Sequence, residues 1–143
     1  MDEKELVRCF YETLVSQNRL EELPRFLAED CRFRSGERLL PMGISGMREH
    51  LLAVRKTYPD YTMRIIRQHL AGPYVISEFV MEGTHLGEFC GIAPSGRRLS
   101  FTGVDIDRVE GGRIVEHGGA VNTFDTLLAH GLIRGVTEQE GSL

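Results

Sequence analysis

Arg108-Val109-Glu110-Gly111-Gly112-Arg113-Ile114-Val115-Glu116-His117-Gly118-Gly119 is the stretch on which the reading of this chain turns. Glu110, Gly111 and Gly112 separate two alternating runs, residues 99–109 and 113–121, and that is the pattern of a β-hairpin. The second run holds two adjacent glycines directly after a histidine. Glycine is a poor strand former, because it adds backbone entropy and removes the side chain that packs the pleat. A pair of them marks a place where something approaches the backbone or where room is left. The hairpin has two candidate registers. A two-residue Gly111-Gly112 turn pairs Glu110 with Arg113 and sets His117 beside Ile106. A three-residue loop ending on a left-handed glycine pairs Val109 with Arg113 and sets Asp105 across from His117. A slip of one residue would send these two groups to opposite faces. The three-residue loop is favoured, since glycine then sits where a positive φ is needed. Phe101, Gly103, Asp105 and Asp107 then share a face with Val115, His117, Gly119 and Val121.

Upstream, residues 61–70 and 74–84 read as a second hairpin around Gly72-Pro73, contributing Phe79, Met81, Gly83 and His85 to that face at period two. Residues 86–98 are rich in glycine, proline and charge and read as a loop. Before residue 60 the periodicity is helical. Residues 3–17 place Leu6, Phe10, Thr13 and Leu14 near one side. Leu20, Leu23, Phe26 and Leu27 form a short second helix with Pro24 in its first turn. Arg32-Phe33-Arg34 is a short extended piece. Ser45 is expected to cap a third helix carrying Met47, Leu51, Val54 and Tyr58, stopped by Pro59. A last helix carries Phe124, Leu127 and Leu128 and ends at Gly131. Helices first and antiparallel strands afterwards make an α+β domain in which helices cover one face of a curved sheet. We expect one domain over residues 1–143, with an ordered core of about 3–131 and a frayed tail. The outer face, with Ile76, Val80, Val104 and Ile106, is also apolar, which predicts a homodimer packed through it.

Composition narrows the partners. The 143 residues carry a net charge of −4 and are 41% hydrophobic, with a pI near 5.7. Nothing in that balance proposes a nucleic-acid or anionic-membrane partner. No apolar run approaches the roughly 20 residues of a membrane span, and the acidic start lacks the apolar stretch of a signal peptide. The cytoplasm is the expected location. Cys9, Cys31 and Cys90 are odd in number and widely separated, so they read as reduced structural thiols, and no Cys/His spacing supports a metal site.

Residues 83–97, from Gly83-Thr84-His85 through Ala93-Pro94-Ser95-Gly96-Arg97, resemble the SnoaL-like polyketide cyclase family. The similarity continues through Phe101-Thr102-Gly103-Val104-Asp105-Ile106 and Gly112-Arg113-Ile114-Val115-Glu116-His117, and the helical order before residue 60 agrees. The resemblance implies a cone-shaped α+β barrel of the nuclear-transport-factor-2-like type, dimeric, closing a ring on an aromatic polyketide by an intramolecular aldol reaction without metal or organic cofactor. The family commonly continues its last strand as Glu-His-Trp-Asp, with the aspartate as catalytic acid/base. Here Gly118 and Gly119 replace the last two residues, while His117 is kept.

An aldol closure needs a base for a proton on carbon flanked by carbonyls, then an acid for the new alkoxide. Histidine suits both tasks near neutrality. The expected catalytic set is therefore His117 as base or acid, Asp105 orienting it, and His85 polarising a carbonyl. Tyr11, Phe79, Met81, Phe101, Gly119 and Asn122 are the expected substrate contacts, and the bare Gly119 is expected to leave space for a bulkier ligand. Asp107, close to the turn, reads as solvated. The function so indicated is a cyclase, isomerase or lyase acting on a hydrophobic carbonyl compound. A binding protein with the same pocket and no turnover is the alternative, because the family's aspartate is missing.

Overall fold

The computed structural model describes residues 1–137. Asp2 opens the first helix, α1 (Glu3–Cys9), with a capping box: its side chain accepts from the Glu5 amide at 2.8 Å while Glu5 accepts from the Asp2 amide. The helix then widens into a π-helical segment, Phe10–Val15, where the expected straight run to residue 17 gives way to longer-range bonds such as Ser16 N–H to Tyr11 C=O at 3.1 Å. A single 3₁₀ turn, Leu20–Glu22, leads into α2 (Leu23–Phe26), with Pro24 in its first turn as expected. Leu27 does not continue that helix; it begins strand β1 (Leu27–Ser35), which turns at Gly36 into β2 (Arg38–Pro41), a strand the sequence reading missed.

Helix α3 (Gly43–Thr57) starts two residues before Ser45, which therefore caps nothing. Its N-cap is Met42, with no side-chain hydrogen bond. Strands β3 (Thr62–Ala71), β4 (Tyr74–Thr84), β5 (Arg98–Glu110) and β6 (Arg113–Val121) follow, and α4 (Thr123–Ala129) closes the fold before Gly131. The tail expectation falls largely on residues 138–143, outside the described residues.

The six strands form one curved sheet in the order β2-β1-β6-β5-β4-β3, open at β2 and β3. All pairings are antiparallel except β1 with β6, where Phe33 lies opposite His117. Along β4 every second residue is buried, so Val75, Ser77, Phe79, Met81 and Gly83 face the helices. The same stripe on β5 runs Leu99, Phe101, Gly103, Asp105, Asp107 and Val109, with two carboxylates where a core strand ordinarily carries apolar groups. The π-helical segment is pinned to β3 by Ser16, whose hydroxyl accepts from the Met63 amide at 2.8 Å, and by Glu12, which accepts from the Ile65 amide at 2.9 Å.

The β5–β6 register corrects the sequence reading. Gly111 and Gly112 both have positive φ, 58° and 75°, and form a two-residue turn that pairs Glu110 with Arg113 and the buried Val109 with the buried Ile114. Continued regularly, that turn would send His117 to the outer face. Instead a bulge at Val115 adds one residue on β6, so that Arg108 faces Glu116 and Asp107 faces His117. On β6 the buried Ile114 takes the inward place expected of Val115, while His117 and Gly119 keep theirs, and the pairing is displaced by two residues. Asp105 lies across from Gly119, not His117.

Candidate active site

Beneath α3 and the π-helical segment the sheet encloses a cavity of about 500 Å³. Most of its wall is aromatic or aliphatic, including Phe10, Phe33, Phe79, Met81 and Phe101. Tyr11, His50, Asp105 and His117 supply ionisable groups to it. This is the usual composition of a small-molecule site: apolar walls with a few converging polar groups.

Asp107 is 0% exposed and lies at the centre of the polar cluster. Its Oδ2 accepts from the Tyr11 hydroxyl at 2.6 Å and its Oδ1 from His117 Nδ1 at 2.7 Å, while Nδ1 and the Tyr11 oxygen are 3.2 Å apart. Tyr11 has one proton and gives it to Asp107, so the short imidazole contact requires the proton on Nδ1. The other ring nitrogen, Nε2, is thereby left for the cavity. The expectation of a solvated Asp107 is overturned: the regular period of β5 points that side chain inward, and the bulge on β6 brings His117 over it.

Burial works against a charged His117, but the carboxylate of Asp107 and its hydrogen bond, with Asp105 adding a further negative charge, outweigh it and hold the pKa up at about 9. Burial also pushes the Asp105 carboxyl up; the nearby His117 cation pulls it back, Asp107 raises it again, and the balance lies at about 7. Burial, then the charges of Asp105 and Asp107, raise the Tyr11 phenol well above its ordinary value. At neutral pH the cavity therefore holds an imidazolium beside a carboxyl group close to half ionisation. Two titratable groups pushed to different values by their surroundings can divide proton donation and acceptance between them.

Gly119 does not open space for a larger ligand, as expected from sequence. A Cβ built on it would overlap Asp105 Oδ1 and the Val104 carbonyl oxygen, and its φ of 155° disfavours a side chain. The room left by the glycine is filled by the Asp105 carboxylate from the neighbouring strand.

The structure brings Tyr11, Phe79, Met81, Phe101, Asp105, His117 and Gly119 to one cavity and leaves two expected residues outside it. His85 is buried at the root of the 86–97 loop, where Nδ1 accepts from the Ser95 amide at 3.2 Å and stands 2.9 Å from Ser95 Oγ. Its backbone holds both Gly96 and Arg97, so the side chain is occupied in anchoring a loop whose Phe89 reaches the cavity. Asn122 caps α4, its Oδ1 accepting from the Asp125 amide at 3.5 Å while its Nδ2 donates to Asp125 Oδ2 at 2.9 Å. Asp107 and His50 are among the residues of the cluster and cavity that the sequence reading did not assign to the site. Asp107 continues the period of Phe101, Gly103 and Asp105, and His50 stands three residues after Met47 and four before Val54 on the inward stripe of α3. Among the described residues no group of three or more His, Cys, Asp or Glu side chains is arranged to hold a metal ion.

A family model described as SnoaL-like polyketide cyclase matches residues 5–129. Among solved structures, IdmH from Streptomyces antibioticus, designated a candidate polyketide cyclase, is 26% identical with a TM-score of 0.78, over 92% of this chain and 99% of that one. AclR from Streptomyces galilaeus, designated a candidate hydroxylase, is 22% identical with a TM-score of 0.78, over 94% and 99%. A SnoaL-like polyketide cyclase from Agrobacterium tumefaciens is 16% identical with a TM-score of 0.78, over 91% and 98%. A comparison with curated proteins finds no match.

Proposed function

Because the chain belongs to the SnoaL-like polyketide cyclase family, we propose that it is an enzyme acting by acid/base chemistry on a hydrophobic carbonyl compound of polyketide type, as a cyclase, isomerase or lyase. The observation that carries this reading is the Asp105 carboxyl in the space that a side chain at Gly119 would take. It lines an apolar cavity beside an imidazolium and is poised near neutrality. A family relative with aspartate on β6 and this chain with aspartate on β5 would present a carboxylate to the same part of the cavity.

The roles follow from the proton positions. Ionised Asp105 takes a proton from carbon next to a carbonyl, and the C–H electron pair moves into the enolate. His117 Nε2–H donates to the enolate oxygen where negative charge develops. Asp107 and Tyr11 keep that ring protonated and oriented. Protonated Asp105 then returns its proton to the product, so the cycle closes without net proton change. The geometry supports Asp107, rather than Asp105, as the group that orients His117. The protein is read as a homodimer joined through the outer sheet face.

The test is α-proton exchange of 2-tetralone, a compact aryl-fused ketone, followed by NMR in D2O. Wild-type protein should exchange the proton faster than buffer, and Asp105→Asn should lose about 100-fold or more, the range of a general base. The missing aspartate at Gly119 favours a second reading, a binding protein without turnover. It predicts that 2-tetralone binds equally to both proteins and that neither accelerates exchange.

A further inference from the structure

The sheet side of the cavity carries the groups assigned so far, but a ligand held there is also covered by α3. That helix contributes Met47, His50, Leu51, Ala53, Val54 and Thr57 to the wall, and His50 is the ionisable member of the set. Its side chain makes no hydrogen bond within the described residues. It also remains exposed, whereas Asp105 is 9% exposed and His117 is tied to Asp107. The remaining ionisable groups of the wall, Tyr11, Tyr58 and Tyr61, are phenols whose pKa values are all raised by burial, so they stay protonated around neutrality.

We propose that His50 is a second proton-transfer residue of this cavity, acting on the helix-facing side of a bound carbonyl compound and trading its proton with bulk water. The proposal rests on the acid/base reading above and extends it. Although the residue reaches solvent, partial desolvation of its ring at the cavity wall and then the charge of His117 lower the His50 pKa, so the neutral form with a free lone pair is favoured at pH 7. In the step it supports, a C–H or O–H bond of the ligand breaks, an N–H bond forms on the imidazole, and the electron pair stays on the ligand as enolate or alkoxide. The resulting imidazolium then returns the proton to the ligand oxygen or to water. No electrons change hands with another reactant. An aldol closure has two sites of proton transfer, one at carbon and one at the new alkoxide, and groups on opposite walls can serve both without turning the ligand. An ordinary solvated helix histidine would do none of this.

The experiment compares 2-tetralone exchange across pH for wild type, Asp105→Asn, His50→Gln and the double variant, with melting midpoints and 2-tetralone binding measured for each. His50 is exposed, so glutamine there leaves the fold intact. The expected result is a residual rate in Asp105→Asn whose half-rise lies below the ordinary histidine value, with His50→Gln removing about tenfold more in that background. An equal rate for Asp105→Asn and the double variant overturns the His50 role and leaves the Asp105 reading standing. A full rate in Asp105→Asn that collapses only in the double variant upholds His50 and overturns Asp105. Wild-type exchange no faster than buffer overturns both.

Discussion

Asp105 is a carboxyl group held where its charged form is disfavoured, and that has a thermodynamic consequence at the scale of the single residue. Its pKa of about 7 in the folded protein lies above the ordinary value of 3.8, so between those values the native state binds more protons than the unfolded chain. Stability therefore falls as pH rises from about 4 to 7 and stays low above that. Asparagine cannot ionise, so Asp105→Asn should be the more stable protein at pH 8, by roughly 2–4 kcal/mol at about 1.4 kcal/mol per unit of displacement. The advantage should vanish near pH 4. Urea denaturation of both proteins at the two pH values checks this, and an advantage over wild type no larger at pH 8 than at pH 4 would contradict it. His117 works in the same direction one step higher. Its raised pKa adds stability below about 6.5 that is lost as pH climbs through about 9. Asp107→Asn removes the partner that keeps the ring charged. The His117 pKa should drop below 6.5 by NMR titration, because burial, the largest influence, then outweighs the Asp105 charge that remains. The fold should lose about 3–5 kcal/mol, the usual cost of breaking a buried pair.

At the scale of elements, the β5–β6 hairpin decides which groups meet. The two-residue turn satisfies the apolar pair Val109 and Ile114, and the bulge at Val115 restores His117 and Gly119 to the inner face. Each device alone fails: the turn without the bulge buries the wrong side of β6. Gly119 is fixed by the same pairing. Gly119→Ala should destabilise the protein by roughly 2 kcal/mol or more, since its Cβ meets Asp105 and Val104 at a strained φ. It should also displace the Asp105 carboxyl, so proton exchange with 2-tetralone falls along with the melting midpoint. A stable, fully active Gly119→Ala would mean that the glycine matters to neither. The hairpin also shows how far sequence reading reaches. Strands β4 and β6 were legible to the residue, because each alternates after a clear turn, Gly72-Pro73 before β4 and Gly111-Gly112 before β6. The inner faces of β4 and β5 were legible too, since parity there depends only on counting, whereas on β6 Ile114 took the inward place expected of Val115. The bulge was not legible, because a single extra residue leaves no compositional mark. With it went the partner of His117, which reading by turn type alone set two residues away. Strand β2 was missed for a different reason: four residues, mostly exposed, carry no period. The histidine at 85 looked catalytic because parity places it inward, and only the fold of the following loop reveals its bond to Ser95.

Across the whole molecule, one sheet has to satisfy two apolar faces, and the helices cover only one of them. On the other, Ile76 lies opposite Ile106, and Val104 lies between Glu78 and Ala120 on the flanking strands. Ile106 is 45% exposed and Val104 40%. The Arg67–Glu78 and Arg34–Glu116 ion pairs lie beside this patch. An apolar centre with a charged margin suits a contact between copies of the chain, with the cavities turned away from each other and each complete within its own protomer. The division of labour has a measurable consequence. Ile106→Asp would bury an unpaired charge at the centre of such a contact, costing several kcal/mol against a tenfold change in affinity for each 1.4 kcal/mol. Sedimentation velocity should show wild type as a dimer at micromolar concentration and Ile106→Asp as a monomer, with dissociation constants differing by roughly 100-fold or more. Because the substituted side chain points away from the cavity, the monomer should keep its 2-tetralone binding and its pH profile. A wild-type protein that sediments as a monomer would leave the outer face without a partner and remove the reason for its apolar character. A monomeric variant that also lost proton exchange would show instead that the two faces of the sheet are coupled, since Ile106 shares its strand with both Asp105 and Asp107.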